Sequence, residues 1–139
     1  MKTKKMKPAA FKHIESEIFD YTETVKRIQQ RREEIMMNTS TDENVGGGKS
    51  NIPSRPTEQL ATRLAEDPKL SEDQRIASAI EHVYNLCDDE RKKLIRLKYW
   101  TRLHKKNWDG IAQELNISKR QAYRWRDEIV LAIGEKLGW

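Results

Sequence analysis

The chain has 139 residues, of which 36% are hydrophobic and 35% charged, so it has room for one small core plus an accessory element rather than two full domains. Its single cysteine, Cys87, excludes an intramolecular disulfide framework and a thiolate cluster for zinc, and no apolar run approaches the ~18 residues of a membrane span. The net charge is +5, but residues 91–139 carry 13 Lys+Arg against 5 Asp+Glu while residues 57–90 carry 3 against 9, a polarity that turns one end of the molecule towards a polyanion.

Low aromatic and β-branched content and long helical periodicities predict an all-α protein: a long N-terminal helix, a hinge and a C-terminal helix-turn-helix bundle. The expected boundaries are an arm over residues 1–38, a Gly-rich hinge over 39–55 and a helical domain over 56–139, whose residues 108–131, taken up below, point to DNA through a helix-turn-helix.

The lysine-rich start, MKTKKMK, runs into mixed sequence rather than a secretory apolar stretch. From Phe11 onward, Phe11, Ile14, Ile18, Tyr21, Val25, Ile28 and Ile35 recur at alternating three- and four-residue spacing, interrupted only by Arg32. A seam this narrow suits helix pairing. A homodimer joined through Phe11, Ile14, Ile18, Tyr21, Val25 and Ile28 is expected, with the alternative that the helix folds back on its own C-terminal domain.

Asn38 to Arg55, NTSTDENVGGGKSNIPSR, has the composition of a loop. Its Gly46 to Ser50 run invites a phosphate-loop reading, but that motif needs glycine at position 43, where the chain has Glu43, and no apolar strand precedes it. A short helix follows from Pro56 and Thr57 and stops before Pro68. Ser71 with Gln74 forms a capping box for a helix carrying Ile76, Ala79, Ile80, Val83 and Tyr84 to near Leu86. Asp88 caps the next helix, with Asp89 and Glu90 at its positive end and Leu94, Ile95, Leu97, Tyr99 and Trp100 as its apolar surface.

After a basic connection containing Arg102, His104, Lys105 and Lys106, Asn107 caps a helix that places Ile111, Ala112 and Leu115 on one face. Asn116 stands where the turn needs positive φ, and Ile117 anchors the turn. Ser118 with Gln121 caps the second helix, in which Ala122, Trp125, Ile129 and Ile133 face inward and Lys119, Arg120, Tyr123, Arg124 and Asp127 face outward.

Such a helix reads the major groove of double-stranded DNA, and Arg or Gln makes bidentate bonds to base edges. Arg120, Gln121 and Arg124 are the candidate base contacts. Lys105, Lys106, Ser118, Lys119, Tyr123 and Arg126 are the candidate phosphate contacts. His13, His82 and His104 are scattered with no second ligand at metal spacing, so no metal and no cofactor are expected. No nucleophile or paired-carboxylate arrangement stands out, and no enzymatic activity is expected.

Ile76 to Ile133, with AIEHVYNLCDDERKKLIRLKYW, a loop and WDGIAQELNISKRQAYRWRDEIV, resembles region 4 of bacterial sigma factors. Across nearly its whole length the chain is similar to the RinA-type late transcriptional activators of phages of Gram-positive bacteria, through FKHIESEIFDY, DENVGGGKSN, RPTEQLATRL, the helix ending LKYW, and WDGIAQELNISKRQAYRWRDEIV with the terminal LGW. That resemblance implies a regulator in the cytoplasm of a bacterial host cell that turns on a late packaging and morphogenesis operon by acting on host RNA polymerase. Two other readings stay open: a packaging adaptor like a small terminase subunit, and a sigma-like module that binds polymerase without DNA specificity of its own.

Overall fold

Pro8 supplies a fixed φ and lacks the N–H that a first helical position leaves unpaired, and from it runs α1 (Pro8–Phe19). At Asp20 the helix breaks, the Asp20 N–H reaching back to the Ser16 carbonyl at 3.0 Å, and it resumes as α2 (Tyr21–Val45). The remaining helices are α3 (Arg55–Glu66), α4 (Pro68–Leu86), α5 (Asp89–Ile95), which runs into a π-helical turn at Arg96–Trp100, α6 (Trp108–Leu115) and α7 (Lys119–Leu137). This computed structural model describes residues 6–45, 55–101 and 106–139, with side chains for 6–39, 57–101 and 106–139. Among these residues every regular element is helical, as the sequence predicts.

The described chain forms two compact units, one of Met1–Thr22 with Ile76–Trp139 and one of Glu23–Arg75. The N-terminal helical run of α1 and α2 is divided between the two units after Thr22. In the first unit Ile14 and Ile18 of α1 are fully buried among Ile80, Leu94, Ile111, Ile129 and Ile133. The first part of the expected dimer seam is therefore occupied within the chain, with Phe11 and Tyr21 packed at its margin.

Further bonds hold α1 there. Tyr99 donates to Glu15 Oε2 at 2.8 Å, and Trp100 Nε1–H donates to the Ile18 carbonyl at 3.0 Å. Burial and the Glu15 carboxylate push the Tyr99 hydroxyl well above its ordinary pKa. Both aromatics come from the π-turn, whose shifted register carries Tyr99 and Trp100 to α1. The sequence predicts one continuous helix there. Thr101 adapts to the turn by donating its hydroxyl to the Arg96 carbonyl at 2.7 Å. On α7, Gly134 is the point of close approach: a Cβ there would press on Met6 Cε and lie 2.9 Å from Ile14 Cδ1, so any side chain at this position makes the ends of Met6 and Ile14 shift, in a helix interior that otherwise disfavours glycine.

In the second unit α2 continues to Val45, through residues 39–45 that the sequence assigns to the hinge. Thr39, 3% exposed, donates to the Ile35 carbonyl at 2.7 Å, so a residue that signals a turn in composition is satisfied inside the helix. Arg31 clamps Asp67 with two bonds of 3.1 and 2.6 Å, and Asp67 Oδ2 also accepts from the Leu70 N–H at 2.9 Å. Asp67 with Pro68 thus starts α4, correcting the expected start at Ser71, which lies inside the helix with its N–H on the Asp67 carbonyl. Aspartate before proline combines a strong cap with a preset φ and outcompetes the serine four residues on. The segment Gly46–Gly48 lies outside the described residues.

Candidate nucleic-acid interface

Local chemistry fixes α6 and α7 at three points. Asn107 Oδ1 accepts from the Gly110 N–H at 2.9 Å and starts α6. Asn116 closes α6 at φ 56° and ψ 42°, its N–H bonded to the Gln113 carbonyl at 3.2 Å while the Ile117 N–H bonds to Ala112 at 3.0 Å. Those two bonds make a Schellman turn with asparagine in the left-handed position. Ser118 Oγ then accepts from the Gln121 N–H at 3.0 Å and starts α7. All three features stand where the sequence predicts them.

The inward face of α7 is buried at Ala122, Trp125, Ile129 and Ile133, and Ile111, Ala112 and Leu115 of α6 are buried beside it. Packing therefore fixes which residues face out. Lys119, Arg120 and Arg124 are exposed, and Gln121, Tyr123 and Arg126 are half-buried.

Electrostatics separates these residues further. Lys119 Nζ sits 3.3 Å from Asp109 Oδ1, and Lys106 is bonded to Glu114, which holds that carboxyl below its ordinary pKa. Arg126 donates to Asp127 Oδ1 from Nε and Nη2 at 2.9 and 2.8 Å. Glu128, the natural partner of Arg124 one turn earlier, is instead held by Arg91 of α5 at 3.2 Å. Among the described residues Arg120 and Arg124 have no hydrogen-bond or ion-pair partner. Two adjacent guanidinium groups, one helical turn apart on the outer face of a capped helix, remain available for a polyanion.

Of the expected phosphate contacts, Ser118 Oγ is engaged in the cap, Tyr123 packs on Trp108 with ring centroids 5.3 Å apart, and Lys105 lies outside the described residues. Sequence reasoning missed Trp108 and Lys98, whose Nζ lies 5.0 Å from the Trp108 ring centre beside this surface. The available signal was an aromatic four residues before Ala112, on the same helical face. Among the described residues no group of three or more His, Cys, Asp or Glu is placed to hold a metal ion, and no helix is long and apolar enough to cross a membrane.

Comparison with known proteins gives one curated relative at this point: the chain is 28% identical to the transcriptional activator rinA of Staphylococcus phage phi11 over 134 residues, 96% of this chain and 94% of that protein. No solved structure matches the chain. The model of the family described as "Protein of unknown function (DUF722)" matches residues 11–135, from the seam of α1 to the last turn of α7, and the chain belongs to that family.

Proposed function

We propose that this chain is a phage transcriptional activator that binds double-stranded DNA with α6 and α7 as a helix-turn-helix, inserting the N-terminal half of α7 in the major groove. The observation that carries the reading is the exposed pair Arg120 and Arg124, without an ion-pair partner among the described residues, on a helix whose start and rear face are fixed. With Gln121 they form the base-reading set, each bidentate contact being worth about 1–3 kcal/mol of discrimination. Lys119, and Lys106 and Lys105 at the α6 entry, meet phosphates and supply salt-dependent affinity. The relative's name, transcriptional activator, supports the regulatory role. Action on RNA polymerase in the cytoplasm of the bacterial host completes the proposal.

Two copies act together, which places half-sites about one helical turn or a multiple apart. With Ile14 and Ile18 buried in the chain, Val25 and Ile28 of α2 are the seam residues left for the second copy. Sedimentation equilibrium tests this, a concentration-independent monomer mass at micromolar protein counting against it.

The deciding experiment incubates the protein with fragmented DNA of the phage that encodes it at physiological salt and sequences what is retained. A fragment upstream of a late operon, enriched with the native protein and lost with the Arg120→Ala/Arg124→Ala variant, is the expected result. Uniform retention refutes sequence-specific reading by α7, and a mass well above a dimer points to a packaging adaptor.

A further inference from the structure

Arg126 is set apart from the other cations of α7 by its surroundings. Its guanidinium carbon lies 4.8 Å from the ring centre of Tyr123, 5.1 Å from Phe11 and 5.5 Å from Trp108. All three lie within the ~6 Å over which a ring face attracts a cation. The rings come from α7, α1 and α6, so one side chain bridges the N-terminal helix to both halves of the helix-turn-helix. Its side chain is 23% exposed, and its charge is met by Asp127 through Nε and Nη2. A phosphate contact would have to break that pair and withdraw the guanidinium from the rings.

We infer that Arg126 is a positioning residue: through Phe11 it ties α1 to the recognition helix, and through Trp108 and Tyr123 it fixes the angle at which α6 and α7 meet the DNA. This rests on the DNA-binding reading above. Glu15, one turn after Phe11 on α1, reinforces the tie through its bond with Tyr99. The N-terminal helix is then part of the reading apparatus, although its sequence carries no DNA-contact signature and it stands some hundred residues upstream in the chain.

The test uses the full chain with Arg126→Gln, Phe11→Leu and the double variant, titrated against the retained fragment and against random duplex over a range of salt. Arg126→Gln is expected to weaken binding to the fragment by about tenfold, with random-duplex binding and the salt slope unchanged. Phe11→Leu shows the same pattern to a smaller degree, and the double variant is no weaker than Arg126→Gln alone, because both changes remove one contact. A salt slope lower by about 0.9 in Arg126→Gln makes the residue a phosphate contact and overturns the inference, as do multiplicative losses in the double variant. Should Arg126→Gln not fold, Arg126→Lys serves. It keeps the charge without the planar face, and native discrimination by that variant overturns the inference.

A DNA-free readout separates failure of this inference from failure of the functional reading. The Arg126 Nε–H resonance is expected to be shifted by the rings and to move towards its free position in Phe11→Leu, whether or not any fragment binds. An Arg126 resonance at its free position in the native chain, or one unmoved by Phe11→Leu, overturns the clamp even if DNA binding stands. Absence of any DNA binding with the ring shift intact refutes the functional reading and, with it, the reading role of the clamp.

Discussion

The place of α1 is tested most sharply where it crosses α7, at Ile14 and Gly134. Ile14 is 0% exposed, so Ile14→Ala removes buried methylenes and leaves a cavity, at about 2–5 kcal/mol. For a chain of this length that is a fall in Tm of roughly 6–15 °C. Gly134→Ala has opposing effects. Alanine gains about 1 kcal/mol of helix propensity, but its Cβ would lie 2.9 Å from Ile14 Cδ1 and against Met6 Cε, and overpacking costs about 1–3 kcal/mol. The single variant is therefore expected to be neutral or destabilised by up to ~2 kcal/mol. In the Ile14→Ala background the Ile14 methyl is gone and the flexible end of Met6 can move into the space it leaves, so Gly134→Ala keeps its propensity gain, fills part of the hole and becomes stabilising. Urea unfolding of the four proteins measures the coupling, expected at about 1–3 kcal/mol. The Ile14→Ala loss is independent of protein concentration if α1 packs on its own chain. Additive effects, or a loss that appears only on dilution, would refute the packing of α1 against α7 and restore the inter-chain seam.

Three further predictions concern the turn, the charge of α7 and the second unit. Asn116 has φ 56°, so Asn116→Gly should leave stability within a few tenths of a kcal/mol, whereas Asn116→Val should lose about 1–2 kcal/mol, both read by thermal unfolding; equal effects would contradict the left-handed turn. Arg120→Glu places an acid in the positive first turn of α7 and one turn before Arg124, and should raise stability by about 0.5–1.5 kcal/mol while abolishing retention of the selected fragment; retained binding would remove Arg120 from the reading face. The Arg31 bonds and then the Leu70 N–H hold the Asp67 carboxyl below its ordinary pKa. Its contribution is thus fully present above the unfolded value of about 3.9 and is lost as pH falls through the lower folded value. Urea midpoints between about pH 5 and 2 should fall less steeply in Asp67→Asn than in the native protein, and parallel curves would contradict the clamp.

What the sequence made legible depended on how local the determining physics was. Asn107, Asn116 and Ser118 act within three or four residues of themselves, so their caps and turn are where the sequence places them. The burial of Ala122, Trp125, Ile129 and Ile133 follows from period alone. The destination of α1 does not, because a seam at three- and four-residue spacing looks the same whether its partner is a second chain or α7. The discriminating residue is Gly134, which reads as a weak spot in a helix until Ile14 is seen against it. Asp67 prevailed over Ser71 partly through the local Asp67–Pro68 pair and partly because Arg31, 36 residues away, holds the carboxylate that caps α4. The π-turn at Arg96–Trp100 followed the same logic: its register is set by α1, which receives Tyr99 and Trp100.

The charge pattern around α7 has a physical reading of its own. Each acid from Asp109 to Glu128 is held by a cation outside the reading face or at its edge: Asp109 by Lys119, Glu114 by Lys106, Asp127 by Arg126 and Glu128 by Arg91. Arg120 and Arg124 are left facing solvent one turn apart, where like charges cost a few tenths of a kcal/mol. Stability alone would favour an acid at either position. On the proposed reading the missing counter-charge comes from DNA, whose phosphate backbone and guanine edges supply both the charge and the bidentate geometry that guanidinium groups match. On that proposal Arg91 would serve the interface without touching it: by drawing Glu128 towards α5, it leaves Arg124 without its helical neighbour as a partner.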